Sequence, residues 1–125
     1  MPDRIALDVV RRYHAGWTSK RFEEANDLLA PGLVVEVPIN EYPNRESFVQ
    51  ALRVFGRLVT RVDIVAELGD GDQAMLLYDL EAEQLGALRV AEHFTVDSGR
   101  IVRLRQIHDT APVRAWLERG VGAAW

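Results

Sequence analysis

Three polar side chains fall on the apolar face of two adjacent predicted strands. Glu92, Gln106 and His108 lie in the segment Leu88 to Asp109, whose alternating apolar residues predict two strands joined by a tight turn. A polar group on an apolar face is costly unless it is paired or used. A buried carboxyl group can keep its proton and donate a hydrogen bond, and a histidine can move protons near neutral pH. The pattern therefore predicts a pocket.

The register of these two strands depends on the turn between them. Asp97-Ser98-Gly99 fits a three-residue hairpin loop in which the glycine takes the left-handed conformation beside a bulge. A two-residue loop would instead pair Glu92 with Arg105 and would turn Gln106 and His108 away from the pocket. The three-residue loop predicts the pairs Val96–Arg100, Phe94–Val102, Glu92–Leu104, Val90–Gln106 and Leu88–His108.

Other candidate residues lie on the first helix and in the loop before the third. Tyr13 is near the centre of an apolar stripe, so its hydroxyl faces either a ligand or a local hydrogen-bond partner. His14 lies at the edge of that stripe and is predicted to be at the surface. Trp17 and Tyr42 are expected at the mouth of the pocket.

Each inward polar residue also has a structural interpretation. Glu92 would be a satisfied core group if it were hydrogen-bonded to Tyr13 or Gln106. His108 would be held by the neighbouring carboxylate of Asp109 or would sit at the rim. We expect no metal site, since His93 and His108 alternate to opposite faces and the third histidine is on a distant helix.

Length and composition predict a single globular domain spanning residues 1–125. Hydrophobic residues make up 48% and charged residues 27% of the chain, which is ordinary for such a domain. The net charge of −4 disfavours nucleic acid and anionic membrane as partners, since both reward basic patches. The chain has no cysteine, no long apolar run and no signal-peptide pattern, so we expect a cytoplasmic protein.

The spacing of apolar residues predicts helices followed by strands, an order typical of an α+β domain with the helices packed on one face of an antiparallel sheet. The predicted elements before and after the hairpin are helices over Pro2–Trp17 and Arg21–Ala30, a strand over Leu33–Val37, a helix capped by Asn44, strands over Leu58–Leu68 and Gln73–Glu83, and a final helix from Thr110.

The chain resembles the nuclear transport factor 2-like superfamily in its element order and in two short motifs. These are Val35-Glu36-Val37-Pro38 before the third helix, and Glu92-His93-Phe94 followed by Asp97-Ser98-Gly99-Arg100-Ile101. Within the superfamily it resembles the SnoaL-like polyketide cyclases and the ketosteroid isomerases. The resemblance implies a cystatin-like cone, in which a strongly curved antiparallel sheet wraps around the N-terminal helices and encloses an apolar cavity. It also implies a homodimer that pairs through the sheet.

The functional positions of these relatives are only partly matched. Ketosteroid isomerases hold the substrate oxygen with a tyrosine and an acid, and Tyr13 and Glu92 stand at the matching positions. Their general base matches Val37, which cannot move a proton. The acid that the cyclases and limonene epoxide hydrolases carry on the last strand matches Gln106, whose amide is neither acid nor base near neutral pH. Glu36 would replace a lost carboxylate only if a bulge turned it inward.

Three functions are compatible with these residues. The first, which the missing carboxylates favour, is binding of a small apolar carbonyl-type molecule without a cofactor. The second is an isomerase-, cyclase- or epoxide-hydrolase-like enzyme in which Tyr13 and Glu92 polarise an oxygen and His108 moves the proton. The third is a structural dimerisation module whose cavity is filled by its own aromatic side chains. The predicted ligand-binding residues are Tyr13, Trp17, Val37, Tyr42, Tyr78, Val90, Glu92, Leu104, Gln106 and His108.

Overall fold

Residues 5–119, which the computed structural model describes, form four helices and five strands. The predicted start of the first helix at Pro2 lies outside the described residues. None of the helices in residues 5–119 is long and apolar enough to span a membrane. The helices are α1 (Ile5–Thr18), α2 (Phe22–Asn26), α3 (Arg45–Leu58) and α4 (Ala111–Glu118), and the strands are β1 (Leu29–Glu36), β2 (Val59–Asp70), β3 (Gln73–Ala82), β4 (Gly86–Asp97) and β5 (Arg100–His108).

The strands form one curved, unclosed sheet in the order β1-β5-β4-β3-β2. β2, β3, β4 and β5 pair antiparallel in succession, whereas β1 lies parallel to β5 at one edge. Parallel pairing needs a long connection, which the chain between β1 and β5 supplies. The predicted α+β fold is confirmed, with the correction that its sheet contains one parallel pair.

Alternate residues of β3 and β4 face the helices and belong to the core. α1 contacts β2, β3, β4 and β5, so one helix covers most of the inner face of the sheet. The alternation is the period-two pattern expected of strands with one buried face. The buried residues of β3 and β4 are Ala74, Leu76, Tyr78, Leu80, Ala82, Leu88, Val90, Glu92, Phe94 and Val96.

Asn44 begins α3 with a capping box, as its sequence position predicts. The Asn44 side chain accepts a hydrogen bond of 2.9 Å from the backbone N–H of Ser47, and the Ser47 side chain caps Asn44 in return. Phe48, Leu52 and Phe55 then recur at steps of four and three, so they share one buried side of the helix. This side faces the inside of the fold.

The second helix is shorter and the first strand longer than predicted. α2 ends at Asn26, and β1 begins at Leu29 rather than Leu33. Leu29 pairs with Ile101, whose N–H also donates a 2.7 Å hydrogen bond to the Leu28 carbonyl. Proline is tolerated here because β1 is an edge strand, and the pairing is irregular between Leu29 and Val34.

The hairpin between β4 and β5 has neither of the two predicted registers. Its loop has two residues, because Asp97 pairs with Arg100, and Ser98 and Gly99 both have positive φ, at 53° and 78°. A bulge then adds one residue to β5, so Thr95 pairs with Arg103. The bulge returns Gln106 and His108 to the inner face. The pairs there are Phe94–Leu104, Glu92–Gln106 and Val90–His108.

His14 is buried, which corrects its predicted position at the surface. It is 3% exposed, and its ring packs against Trp17 and Tyr78 at centroid distances of 5.3 and 4.7 Å. α1 therefore buries a wider stripe than its apolar residues alone predict. Neither ring nitrogen has a hydrogen-bond partner among the described residues.

Candidate functional site

An apolar cavity lies between α1, α3 and the inner face of the sheet. Nine of the ten predicted ligand-binding residues line it. Leu104 does not, because it is fully buried in the core opposite Phe94. The nine are Tyr13, Trp17, Val37, Tyr42, Tyr78, Val90, Glu92, Gln106 and His108.

Glu92 is the acidic residue of this lining and is only 2% exposed. It lies on β4 between Tyr78 on β3 and Gln106 on β5. The Tyr78 hydroxyl donates a 2.7 Å hydrogen bond to Glu92 Oε1, and the Gln106 amide donates one of 3.2 Å to Oε2. The antiparallel register creates this arrangement, since Glu92 and Gln106 are direct cross-strand partners.

The surroundings favour the neutral form of Glu92. Burial raises the pKa of Glu92 from 4.5 to about 7, although the hydrogen bonds from Tyr78 and Gln106 lower it. Desolvation dominates because both oxygens are removed from water and no cation lies among the carboxyl group's hydrogen-bond partners. Near neutral pH, Glu92 therefore exchanges between an acid that donates a hydrogen bond and a carboxylate that only accepts.

Tyr13 is another buried polar side chain of the cavity wall. Its ring meets Phe94 edge to face at a centroid distance of 6.0 Å. Burial, together with the nearby Glu92 carboxyl group, raises the pKa of Tyr13 well above its ordinary value. Tyr13 is therefore a neutral hydroxyl at physiological pH, suited to donating a hydrogen bond and unsuited to acting as a base.

His108 lies on the cavity lining at the end of β5, where it is half-buried. Its Nδ1 is 2.9 Å from the backbone carbonyl oxygen of Asp109, so the partner is this carbonyl rather than the Asp109 carboxylate. A carbonyl oxygen only accepts, which assigns the ring proton to Nδ1. In the neutral imidazole Nε2 then carries the lone pair.

The free space in the cavity is small. The cavity volume is about 40 Å³. One water needs roughly 10–15 Å³, so the space holds about three waters. Aromatic rings, among them those of Trp17, Phe48, Phe55 and Tyr78, line this space.

The model of the SnoaL-like domain family matches residues 10–104 of this chain. The chain belongs to the SnoaL-like family. A crystal structure of a protein from Kribbella flavida DSM 17836 is 31% identical in sequence and has a TM-score of 0.87. The match covers 94% of this chain and 97% of the Kribbella protein. The comparison with curated proteins gives no match.

Two enzymes share the fold of this SnoaL-like protein at lower identity. A steroid delta-isomerase from Pseudomonas aeruginosa is 17% identical with a TM-score of 0.77, covering 95% of this chain and 90% of its own. An LEH-like epoxide hydrolase from M. tuberculosis is 23% identical with a TM-score of 0.74. The match covers 97% of this chain and 95% of the hydrolase. These likenesses confirm the nuclear transport factor 2-like fold predicted from the sequence.

The sequence did not single out the α3 side of the cavity in this SnoaL-like protein. Phe48, Leu52 and Phe55 lie on the helix that Asn44 caps, and the sequence does not indicate what their side of the helix faces. Leu80 and Leu88 lie in predicted strands, and their place in the cavity wall depends on the curvature of the sheet. The lining residues missed are Phe48, Leu52, Phe55, Leu80 and Leu88.

Glu36 and His93 lie on the outer face of the sheet. Glu36 forms ion pairs with Arg103 at 2.8 Å and Arg105 at 3.3 Å, so it does not replace a carboxylate in the cavity. His93 Nε2 is 2.6 Å from the side-chain oxygen of Gln73. Within residues 5–119, no group of three histidine, aspartate or glutamate residues could hold a metal ion.

Proposed function

We propose that this SnoaL-like protein binds a small, neutral, apolar molecule through a carbonyl-type oxygen. The observation that carries the proposal is the buried carboxyl group of Glu92 with its two hydrogen-bond donors. The walls supply apolar contact for the rest of the ligand, which is the usual composition of a small-molecule site.

Counting protons around neutral Glu92 supports this proposal. Tyr78 and Gln106 both donate to the carboxyl group, so the proton on Glu92 has no acceptor in that arrangement. If Glu92 donates to the Tyr78 hydroxyl instead, the Tyr78 proton is left without an acceptor. With the Gln106 amide oriented as it stands, one O–H group of the Glu92–Tyr78 pair needs an acceptor. A buried donor without an acceptor costs about 1–3 kcal/mol. A ligand oxygen would remove that cost.

Cyclopentanone is a suitable probe, with cyclopentane as a control that has the same ring and no oxygen. We expect ligand-observed NMR to detect cyclopentanone binding at pH 6. Affinity should fall roughly 100-fold by pH 9, because only the neutral form of a group with pKa near 7 donates the hydrogen bond.

Glu92→Gln provides the matched variant for this titration. Its amide accepts from Tyr78 and does not titrate, so cyclopentanone binding should be weaker at pH 6 and unchanged between pH 6 and pH 9. Equal binding of cyclopentane and cyclopentanone by the wild type would contradict the proposal. So would the same pH profile in both proteins.

The fixed orientation of His108 favours an isomerase- or hydrolase-like enzyme as a second candidate function. Nδ1 is held by the Asp109 carbonyl, so Nε2 is the basic nitrogen of the ring. With an oxygen held at Glu92 and Tyr13, His108 would abstract a proton from the carbon next to the carbonyl group. The proton leaves the ketone, the C–H electrons form the enol double bond, and the oxygen accepts a proton from Glu92.

Exchange of these protons for deuterium in D₂O tests the enzyme directly. We expect the wild type to accelerate exchange in cyclopentanone and His108→Gln to lose that acceleration. His93→Gln, on the outer face, is the control. Exchange at the uncatalysed rate, or the same rate in His108→Gln as in the wild type, would rule out this mechanism.

An apolar row on the outer face of the sheet supports pairing of two copies through the sheet. Ala66, Leu77, Ala91 and Ile107 are consecutive cross-strand partners from β2 to β5. Ile107 is 73% exposed, and Leu68 beside this row is 68% exposed. Contiguous exposed apolar surface of this kind marks interaction sites.

The oligomeric state and one charge substitution test this pairing. We expect sedimentation equilibrium to give a dimer for the wild type and a monomer for Ile107→Glu. Ile5→Glu, which places a charge on another exposed isoleucine far from the row in sequence, should remain a dimer. A monomeric wild type would contradict the proposal. A dimer that binds no ketone would instead favour the structural dimerisation module.

A further inference from the structure

We infer that the cavity selects compact ligands, a short chain or a single small ring, and rejects fused-ring molecules, an inference that rests on the proposed binding function. The free space of about 40 Å³ is the first observation. Pockets that enclose drug-sized ligands are roughly 300–1,000 Å³, so a polycyclic molecule would have to displace wall residues. Short ketones and small cyclic ketones meet the limit.

The α3 wall is supported from behind, so it is not free to retreat. The Phe55 ring packs edge to face against Trp116 at a centroid distance of 6.0 Å. Trp116 is fully buried, and its indole N–H donates a 3.0 Å hydrogen bond to the Glu83 carbonyl. At the other end of this wall, Phe48 packs edge to face against Tyr42, which also lines the cavity, at a centroid distance of 5.5 Å. Aromatic contacts in a close-packed interior resist displacement.

The opposite wall is supported in the same way. Trp17 and Tyr78 line the cavity, and the buried ring of His14 fills the space behind them. The Tyr78 hydroxyl is further fixed by its hydrogen bond to Glu92. Both walls that meet the ligand are therefore held by second contacts, and the ligand must fit the existing space.

Shortening Leu52 should enlarge the cavity and relax this limit on ligand size. It lies between Phe48 and Phe55 on the cavity side of α3, so Leu52→Ala adds space that is continuous with the cavity. Leu33→Ala removes the same atoms from a buried leucine of β1 that is not part of the lining. The two variants carry the same deletion at different places.

The experiment compares cyclopentanone with the fused bicyclic ketone 2-decalone by ligand-observed NMR. We expect the wild type and Leu33→Ala to bind cyclopentanone at least ten times more tightly than 2-decalone. Leu52→Ala should gain at least tenfold in affinity for 2-decalone. Phe48→Leu, a smaller deletion in the same wall, should gain in the same direction and serves if Leu52→Ala does not fold.

The outcomes separate the size limit from the binding function. Tight binding of 2-decalone by the wild type would overturn the size limit and leave the proposed function standing. The same affinities in the Leu52 and Leu33 variants would also overturn it, because the wall would then not set the limit. Failure of both ketones to bind any of the proteins would overturn the proposed function and this inference together.

Discussion

The Tyr78 hydroxyl donates a 2.7 Å hydrogen bond to Oε1 of Glu92, and both side chains are at most 2% exposed. This bond stabilises the carboxylate form, while burial destabilises it more. The pKa of Glu92 near 7 is the balance of the two effects. It follows that the protonation state of Glu92 can be changed through Tyr78 without altering Glu92 itself.

Tyr78→Phe should raise the pKa of Glu92 further. The substitution removes a donor to the charged form, and a hydrogen bond to a charged group contributes about 1.5–3 kcal/mol, or roughly one to two pKa units. NMR titration of the ¹³C-labelled Glu92 carboxyl group measures the change. Tyr42→Phe is the control, since Tyr42 lines the same cavity without bonding to Glu92. A Glu92 pKa that stays near 7 or falls in Tyr78→Phe would contradict this account.

Glu92→Gln should change how stability depends on pH. The folded state keeps the Glu92 proton up to about pH 7, whereas the unfolded state loses it near pH 4.5. Glu92 therefore contributes stability that is fully present below pH 4.5 and is lost as pH rises to about 7. Over that range the loss amounts to about 3 kcal/mol. Urea unfolding of both proteins at several pH values measures this loss as a difference. The stability of the wild type relative to Glu92→Gln should fall between pH 5 and pH 7, and a constant difference would contradict the prediction.

His14→Phe should remove a loss of stability that occurs as pH falls rather than as it rises. Burial lowers the pKa of His14 from 6.5 to about 4, against the opposing charge of Glu67. The unfolded state binds this proton below pH 6.5 and the folded state does not, so stability is lost as pH falls from 6.5 to about 4. The expected loss is again about 3 kcal/mol. Phenylalanine keeps the ring contacts with Trp17 and Tyr78 and has no group to protonate, so acid unfolding should shift to lower pH.

The pH range of the Glu92 effect on stability overlaps that of the His14 effect between pH 4.5 and 6.5. The two effects have opposite signs there, so each residue serves as a control for the other. The wild type should show little net change from this pair, whereas each single variant should uncover the slope of the other residue. The double variant should again be nearly flat. A wild type whose slope in this range differs from that of the double variant would show that the two groups do not offset one another.

The faces of the hairpin strands could be predicted from the sequence, but their register could not. Alternation groups Gln106 and His108 with Leu104 on one face of β5. The bulge at Val102 keeps that face turned inward beside Glu92 despite the two-residue loop. The offset between the strands depends on the Ser98-Gly99 turn and on one extra residue near Val102, which no local pattern distinguishes from a three-residue loop. As a result Glu92 faces Gln106, which donates a hydrogen bond to it, rather than Leu104.

Burial of His14 and the course of β1 depend on contacts between distant segments. A helical stripe indicates which side of α1 is apolar, but the width of the buried stripe depends on the curvature of the sheet against it. Pro31-Gly32 predicts the end of a helix, and it stands in the structure within a strand whose parallel partner is β5, far along the chain. Local propensity is overridden in both cases.

Gly99→Ala should destabilise the hairpin that positions Gln106. Gly99 has φ of 78°, where a side chain costs about 1–2 kcal/mol. We expect the free energy of unfolding to fall by about 1 kcal/mol, measured by urea denaturation. Ser98→Gly, at φ of 53°, serves as the comparison because glycine relieves the same kind of strain. Equal losses in both variants would be inconsistent with the two-residue turn.

Gly56→Ala in α3 distinguishes helix propensity from packing. Alanine is favoured over glycine inside a helix by about 1 kcal/mol, which alone would stabilise the protein. A Cβ atom at Gly56 would lie 2.5 Å from Cε1 and 2.7 Å from Cζ of Phe22, so the ring would have to move. We expect the clash to dominate and the free energy of unfolding to fall by about 1–3 kcal/mol. Gly32→Ala, whose Cβ would meet nothing within 4 Å, is the control. A gain in stability for Gly56→Ala would mean that Phe22 yields without cost and that α2 packs loosely on α3.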